Sequence, residues 1–119
     1  MKFLMLIRSS ETFEMKDIPQ ALFAAMDQHV ADGFKRGVLK DTAGLNRTSQ
    51  GFRVRQSNGR ITVTDGPFTE TKEVVGGYAI MELASRDEAL AEARKFMELH
   101  LTHWPALTGE CEVREIMPM

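Results

Sequence analysis

Hydrophobic positions along the chain change their spacing several times, and each spacing predicts a different element. The segment KFLMLIR at residues 2–8 is almost continuously apolar, which indicates a central strand that is buried on both faces. The segments FRVR and RITVT flank a turn in which Asn58 and Gly59 supply the positive φ angles of a tight hairpin. GGYAIMEL predicts another strand, and ECEVREIM alternates well enough to form a last one.

Two other segments have the spacing of helices. Apolar and small residues recur every three or four positions after a proline that suits a first helical turn, and two glycines end the pattern. This pattern predicts a helix from about residue 20 to 36. A second helix is predicted from Arg86 to about His103, because Ser85 and Glu88 form a capping box ahead of a long amphipathic run.

Residues 38–51 have no regular hydrophobic period. Their glycine, asparagine, threonine and serine content predicts an ordered loop over the surface, long enough to help cover a site.

The predicted order of elements along the chain is strand, helix, hairpin, strand, helix, strand. This is an α+β fold with an antiparallel sheet, in a ferredoxin-like βαββαβ plan with one added hairpin. A chain of 119 residues has the size of one domain, so residues 1–119 are expected to form a single unit.

One face of the predicted sheet has nothing to cover it. Two helices can cover only one face of a four-stranded antiparallel sheet. The strand GGYAIMEL places Tyr78 and Ile80 on one face and Ala79, Met81 and Leu83 on the other, and KFLMLIR is apolar on both. Because neither strand leaves a face in water without cost, we expect two sheets to stack across a homodimer.

Charge and composition narrow the possible partners and location. The net charge of −2 provides no large field that would attract nucleic acid or an anionic membrane, so we expect neither partner. Arg53, Arg55 and Arg60 beside the hairpin are expected to form a solvated face. The first apolar run is too short for a signal sequence or a membrane span. Eight methionines and a lone Cys111 fit a reducing interior, which predicts a cytoplasmic protein.

No motif in the sequence predicts a cofactor or a metal ion. Cys111 has no cysteine partner, and the pair His100 and His103 lacks an acidic third ligand on its face. A glycine-rich phosphate loop, a nucleophile elbow and a dinucleotide fingerprint are all missing from the sequence. An enzyme built on this chain would therefore use acid and base chemistry, such as isomerisation or lyase chemistry on a small carboxylated or aromatic compound.

The stretch DGPFTETKEVVGGY, residues 65–78, resembles the signature of the DGPF, or YCII-related, proteins. The resemblance extends along nearly the whole chain, through a short first strand, a helix ending in GVL, a GL in the next loop and the hairpin into DGPF. It implies a dimeric α+β barrel built from ferredoxin-like halves. YCII-like relatives resemble muconolactone isomerase-type enzymes in fold, and a histidine with an aspartate is suggested there as an acid and base pair. Some DGPF members are associated with sigma factors of the extracytoplasmic type.

His29 and Asp65 are the predicted acid and base. With roughly 100° per residue, His29 falls on the same helical stripe as Leu22, Met26 and Gly33, so its imidazole could line a cavity between helix and sheet. It could instead be a core histidine that makes one hydrogen bond. Asp65 precedes a Gly-Pro turn and could fold back on the following N–H groups, or it could present its charge to a pocket and orient His29.

Further residues are predicted to bind a ligand, with a structural role open for several of them. Glu70, Lys72 and Glu73 could instead be ion pairs that hold the loop to a neighbouring element or to a dimer partner. A histidine near a helix C-terminus is favoured by the helix dipole alone. Cys111 is expected to be a small core residue. The predicted ligand-binding residues are Phe68, Glu70, Lys72, Tyr78 and His100.

Two classes of function follow from these residues. One is a cofactor-independent acid and base enzyme that uses His29 with Asp65. The other is a noncatalytic dimeric module that recognises a small molecule or a protein, with a link to sigma-factor regulation as the resemblance implies. The two classes differ in whether His29 and Asp65 converge on one cavity that solvent can reach, because a catalytic pair must lie within hydrogen-bond or one-water reach of a substrate.

Overall fold

Backbone pairing joins four strands into one antiparallel sheet and leaves two strands as a separate hairpin. The structure is a computed structural model, and it describes residues 1–68 and 72–119. Its strands are β1 (Lys2–Ser9), β2 (Leu39–Gly44), β3 (Phe52–Ser57), β4 (Arg60–Asp65), β5 (Val74–Glu82) and β6 (Gly109–Glu115), and its helices are α1 (Gln20–Lys35) and α2 (Arg86–His103). The four-stranded sheet has the order β2-β5-β1-β6, so the arrangement is a ferredoxin-like α+β fold with an inserted β3–β4 hairpin.

The apolar run at the start of the chain forms the central strand, as its composition predicts. Strand β1 pairs antiparallel with β5 on one side and β6 on the other. Its odd-numbered residues Phe3 and Met5 are buried against the helices, and its even-numbered residues Leu4 and Leu6 point to the opposite face. The two faces of this strand therefore meet different environments within one chain.

Both helices lie close to their predicted bounds. The Glu88 backbone N–H donates to Ser85 Oγ at 3.1 Å, which confirms Ser85 as the cap of α2. The Glu88 carboxylate accepts from the Ala84 N–H, whereas in the predicted capping box it would accept from the Ser85 N–H. Gly33 lets α1 approach β2 closely, because a Cβ at that position would lie 3.0 Å from Leu39 Cβ. Within residues 1–68 and 72–119, no helix is long and apolar enough to cross a membrane.

The hydrophobic core lies between the helices and one face of the sheet. Its buried members come from β1, β2, α2 and the end of β5, so the sheet and its helical layer are held together by one cluster. The half-buried thiol of Cys111 packs against the same cluster, which confirms its prediction as a core residue. The buried residues of the cluster are Phe3, Met5, Leu39, Met81, Leu83, Ala89 and Ala93.

The prediction of a loop over residues 38–51 is wrong for Leu39–Gly44, which form β2. This strand lies at the edge of the sheet, and β5 is its one partner within residues 1–68 and 72–119. Only Leu39 within it is buried, so the strand has no alternating apolar pattern that a sequence could reveal. It is formed by pairing with β5, and the paired residues lie more than thirty positions apart in the chain.

The predicted hairpin is confirmed and stands apart from the sheet. Asn58 and Gly59 have φ angles of 54° and 73°, as the tight turn requires. We call strands β3 and β4, residues 52–65, the arm. The pairs Phe52 with Asp65 and Val54 with Val63 lie on one side of the arm, and the arginines of β3 lie on the other.

The face of the four-stranded sheet that points away from the helices is named the open face. Leu4 pairs with Ile80 and Leu6 pairs with Tyr78, and these four half-buried side chains form its apolar centre. The helices contact each other, and the buried residues of β1 and β5 lie on their side of the sheet. The open face therefore has the uncovered, partly apolar character that the sequence predicted.

Candidate functional site

A pocket of about 540 Å³ lies where the end of β1 meets the base of the arm. We call it the arginine pocket, because Arg8, Arg47 and Arg53 all line it. These side chains come from β1, from the segment after β2 and from β3, so the fold brings together residues that are far apart in the sequence. Its wall also includes Phe52, Phe68, Glu73, Val74 and Val75.

Arg8 reaches this pocket from the end of the central strand. The register between β1 and β5 shifts between Ile7 and Arg8, and Arg8 then pairs with Val75. Its Nη1 atom donates to Glu112 Oε1 at 3.0 Å, and its Nε atom lies 3.9 Å from Glu110 Oε1. That Nε atom is buried and has no hydrogen-bond partner within the described part of the chain. Arg8 thus retains one donor that no described acceptor satisfies.

Arg47 is held in place by main-chain oxygens of the segment after β1. Its guanidinium donates to the carbonyl oxygens of Phe13 and Glu11, and it lies 5.9 Å from the centroid of the Phe13 ring. The Glu11 carboxylate in turn accepts from the Thr48 N–H at 2.7 Å and from the Thr48 hydroxyl at 2.6 Å. These Thr48 hydrogen bonds lower the pKa of Glu11. The charged carboxylate therefore fixes the segment that carries Arg47.

Arg53 and Phe68 form the opposite wall. The Arg53 guanidinium carbon lies 3.7 Å from the centroid of the Phe68 ring, which is a cation–π contact. The Phe68 N–H lies 3.3 Å from Thr48 Oγ1, so the same threonine supports two walls of the pocket. Phe68 is one of the predicted ligand-binding residues, and it lines this pocket.

The electrostatic character of the pocket follows from its side chains. Three arginines and one glutamate, Glu73, line it, and two phenylalanines and two valines provide apolar surface. Positive groups beside apolar walls favour a ligand that joins a negative group to an apolar body. Arginine suits a carboxylate, because its planar fork of N–H groups matches the two carboxylate oxygens.

The structure does not bring His29 and Asp65 into either of the two described pockets. His29 lies on α1 and faces α2, with its ring centroid 5.7 Å from that of Phe96. Desolvation by burial lowers its pKa, while the nearby charge of Glu92 acts in the opposite direction. Asp65 ends β4 and pairs with Phe52 on the arm. A joint role for His29 and Asp65 as acid and base stays a prediction.

The remaining predicted ligand-binding residues lie at separate places. Lys72 is exposed beside Glu73, and Glu70 lies outside the described residues. Tyr78 lies on the open face, where its hydroxyl donates to Asp41 Oδ2 at 2.9 Å. This hydrogen bond to Asp41 raises the pKa of Tyr78. The arginine pocket therefore contains Phe68 but not Tyr78.

His100 lines a second pocket, of about 400 Å³, near the end of α2. Its side chain is buried, at 8% exposure, and its Nδ1 atom lies 3.0 Å from the Phe96 carbonyl oxygen. The wall around it is mainly apolar, from residues such as Met97, Leu101 and Leu107. A structural hydrogen bond within the helix accounts for this histidine, as its position near the helix C-terminus allows.

Two of the three arginines in the arginine pocket were missed as site residues, and the third was assigned to a solvated face. Arg8 had a usable signal, because it is the charged residue that ends a continuously apolar strand. Arg47 had none, since its role depends on carbonyl oxygens more than thirty residues earlier in the chain. Over the described ranges, no group of three or more His, Cys, Asp or Glu side chains could hold a metal ion.

Comparison with known proteins places these features in a family. The profile of the YCII-related domain matches residues 1–119. An uncharacterized protein of Rhizobium meliloti (strain 1021) is 40% identical over 80 residues, which are 67% of this chain and 60% of the relative. The matched region thus spans less than two thirds of the relative's own length. The match along the whole chain agrees with the DGPF signature and the ferredoxin-like fold, and the chain belongs to the YCII-related domain family.

Proposed function

We propose that this protein is a dimeric, noncatalytic module that binds a small carboxylate with an aromatic or apolar body, and that the arginine pocket is its binding site. One observation carries this proposal. Three arginine residues line one pocket together with two phenylalanines. A ligand carboxylate in this pocket would pair with the positive charge of these arginines.

The size of the pocket supports a small molecule as the ligand. A volume of about 540 Å³ lies within the usual range of roughly 300–1,000 Å³ for small-molecule sites. A long polyanion would be less well suited, because the net charge of the chain is −2 and Glu73 stands in the pocket wall. A single carboxylate can approach the arginines while its apolar body packs on Phe52 and Phe68.

The dimer in this proposal uses the open face. Leu4, Leu6, Tyr78 and Ile80 provide apolar surface there that a second copy of the chain would cover. The Tyr78 hydroxyl already has Asp41 as its acceptor, so burying it in an interface would leave no unsatisfied donor. Arg8 lies on the same face at one end, which would place the arginine pocket at the margin of such an interface.

Benzoate and its uncharged counterpart benzamide test the binding site. Titration calorimetry with the full chain should give a measurable affinity for benzoate and none for benzamide. Replacing a guanidinium that pairs with the carboxylate removes a charge-assisted hydrogen bond, so Arg8→Gln and Arg53→Gln should each weaken binding about tenfold or more. Arg94→Gln is the matched control, because Arg94 pairs with Glu98 and lines the second pocket instead.

The same measurement separates this proposal from the acid and base alternative. His29→Ala and Asp65→Asn should leave the benzoate affinity within about twofold, since neither residue lines the arginine pocket. Equal binding of benzoate and benzamide would contradict a carboxylate site. Loss of binding in His29→Ala with retention in Arg8→Gln would move the site away from the arginine pocket.

A further inference from the structure

The arm exposes an apolar side that nothing in the described part of the chain covers. Phe52, Val54, Ile61 and Val63 are each between 61% and 71% exposed. The register of the hairpin pairs Phe52 with Asp65, Val54 with Val63 and Gln56 with Ile61, so all four apolar residues share one side. We call this the apolar side of the arm. The opposite side carries arginines and threonines, which can remain in water.

An isolated hairpin of this kind gains little from folding alone. Two-stranded hairpins are marginally stable in water unless a third strand or another surface covers one face. The molecule is also extended, with a radius of gyration of 16.0 Å against about 13–14 Å for a compact domain of its length. Exposed apolar side chains on a projecting element are typical of a surface that is buried on association.

The size of the apolar side indicates what kind of partner would cover it. Four side chains at about two-thirds exposure present roughly 400 Å² of apolar surface. A stable interface needs about 800 Å² from each partner, so the arm alone supplies about half. The open face supplies a second apolar area on the same molecule. A two-fold pairing of identical chains would bury both areas at once, because each chain carries both surfaces.

Charge also favours a second copy. The arm contains Arg53, Arg55 and Arg60 but only one acidic residue, Asp65, while the whole chain has a net charge of −2. The rest of the chain is therefore acidic. A basic arm that lies across the acidic body of an identical chain is attracted to it, whereas two bodies without arms would repel each other.

We propose that the apolar side of the arm packs on the open face of a second copy of this chain, so that each arm forms part of the partner's interface. This rests on the proposed dimer and adds the element that holds it together. Phe52 belongs both to the apolar side of the arm and to the arginine pocket. Association and ligand binding therefore meet at one residue, and a change in one is expected to alter the other.

Substitutions on the two sides of β4 test this packing. The double variant Ile61→Asn with Val63→Asn places polar amides on the apolar side, and Thr62→Asn with Thr64→Asn places the same amides on the opposite side of the same strand, so neither variant changes the charge of the arm. Sedimentation velocity across the micromolar range should show a dimer for the unchanged chain. The dimer dissociation constant should rise at least about tenfold in the first variant and change less than about threefold in the control.

A second measurement keeps the test decisive if a variant loses the hairpin. In a mixed sample of isotope-labelled and unlabelled unchanged chains, filtered nuclear Overhauser spectra should connect the methyl groups of Ile61 and Val63 to Leu4 or Leu6 of the other copy. Such contacts support the proposal. Their absence in a dimeric sample would overturn the arm's role.

Three results of the sedimentation experiment would also overturn the inference. If both double variants remain dimeric, the proposed dimer stands, but the arm is not part of its interface. Equal weakening by both variants would show that the effect is not specific to the apolar side. If the unchanged chain is a monomer, both the proposed dimer and the role of the arm in it are contradicted. Benzoate calorimetry on that monomer would then test the proposed binding site separately.

Discussion

The guanidinium of Arg53 lies over the Phe68 ring, 3.7 Å from its centroid. The β3–β4 hairpin separates these two residues in the sequence, and its closing strands bring them back together at the base of the arm. Both side chains also line the arginine pocket. The contact therefore couples the geometry of the arm to the geometry of the proposed ligand site.

Replacing Phe68 with leucine tests this contact. Leucine keeps an apolar side chain but removes the ring that faces Arg53, so a cation–π contact is lost. We expect the affinity for benzoate to fall about three- to tenfold, with a smaller effect on an aliphatic carboxylate such as butyrate. Titration calorimetry with both compounds measures the difference.

Phe34→Leu is the matched control for this variant, because Phe34 is an exposed phenylalanine on α1 outside the arginine pocket. It should leave both affinities unchanged. If Phe68→Leu weakens benzoate and butyrate by the same factor, the ring acts through the shape of the pocket and not through its aromatic face.

Elements with local signals were predicted well from the sequence. The Asn58-Gly59 turn has the backbone angles that its residues favour, and Ser85 with Glu88 begins α2 where the capping box predicts. Each signal acts over a few residues and needs no distant partner. The burial of Gly33 on α1 also followed from helical spacing alone.

Features that depend on distant partners were not predicted. Strand β2 is recognisable only through its pairing with β5, because its own residues are mostly exposed and polar. The helical wheel placed His29 on an inward stripe, but it could not say that α2, with Phe96, would be its neighbour. The arginine pocket joins three separate segments, and no spacing in the sequence connects Arg8 with Arg47.

The helix pair contains a charged group that helps set the stability of the fold at low pH. Glu92 is 8% exposed and accepts two hydrogen bonds from the Arg36 guanidinium, at 2.9 and 3.2 Å. These hydrogen bonds lower the pKa of Glu92 below 4.5. Burial lowers the pKa of the nearby His29 below 6.5. Both groups therefore bind protons more weakly in the folded chain than in the unfolded chain.

Stability should consequently fall in two pH windows as the solution is acidified. Below pH 6.5 the unfolded chain protonates its histidine first, so the free energy of unfolding falls until the lowered pKa of His29 is reached. Below pH 4.5 the same happens for Glu92, whose contribution is lost through its own lowered pKa. Urea unfolding at a series of pH values measures both declines.

Two variants assign these windows to their groups. His29→Gln should reduce the decline that begins at pH 6.5 and leave the one below pH 4.5, whereas Glu92→Gln should reduce the latter and lower stability at neutral pH. If the free energy of unfolding of His29→Gln still declines below pH 6.5 as in the unchanged chain, another group is responsible for that decline.

Gly66 is the position where the turn after β4 comes closest to the segment that carries Arg47. Its N–H donates to the Gly51 carbonyl at 2.9 Å, and a Cβ at this position would collide with the carbonyl group of Thr48. Thr48 cannot easily move away, because Glu11 holds both its N–H and its hydroxyl. Gly66→Ala should therefore lower the free energy of unfolding by about 1–3 kcal/mol and weaken benzoate binding.

Gly76→Ala is the control, since the nearest atom to its Cβ would be the Ile7 carbonyl oxygen at 3.9 Å, and it should change stability by less than about 0.5 kcal/mol. Urea unfolding compares the two, and equal stability of both variants would mean that the segment around Thr48 yields more readily than its hydrogen bonds to Glu11 imply.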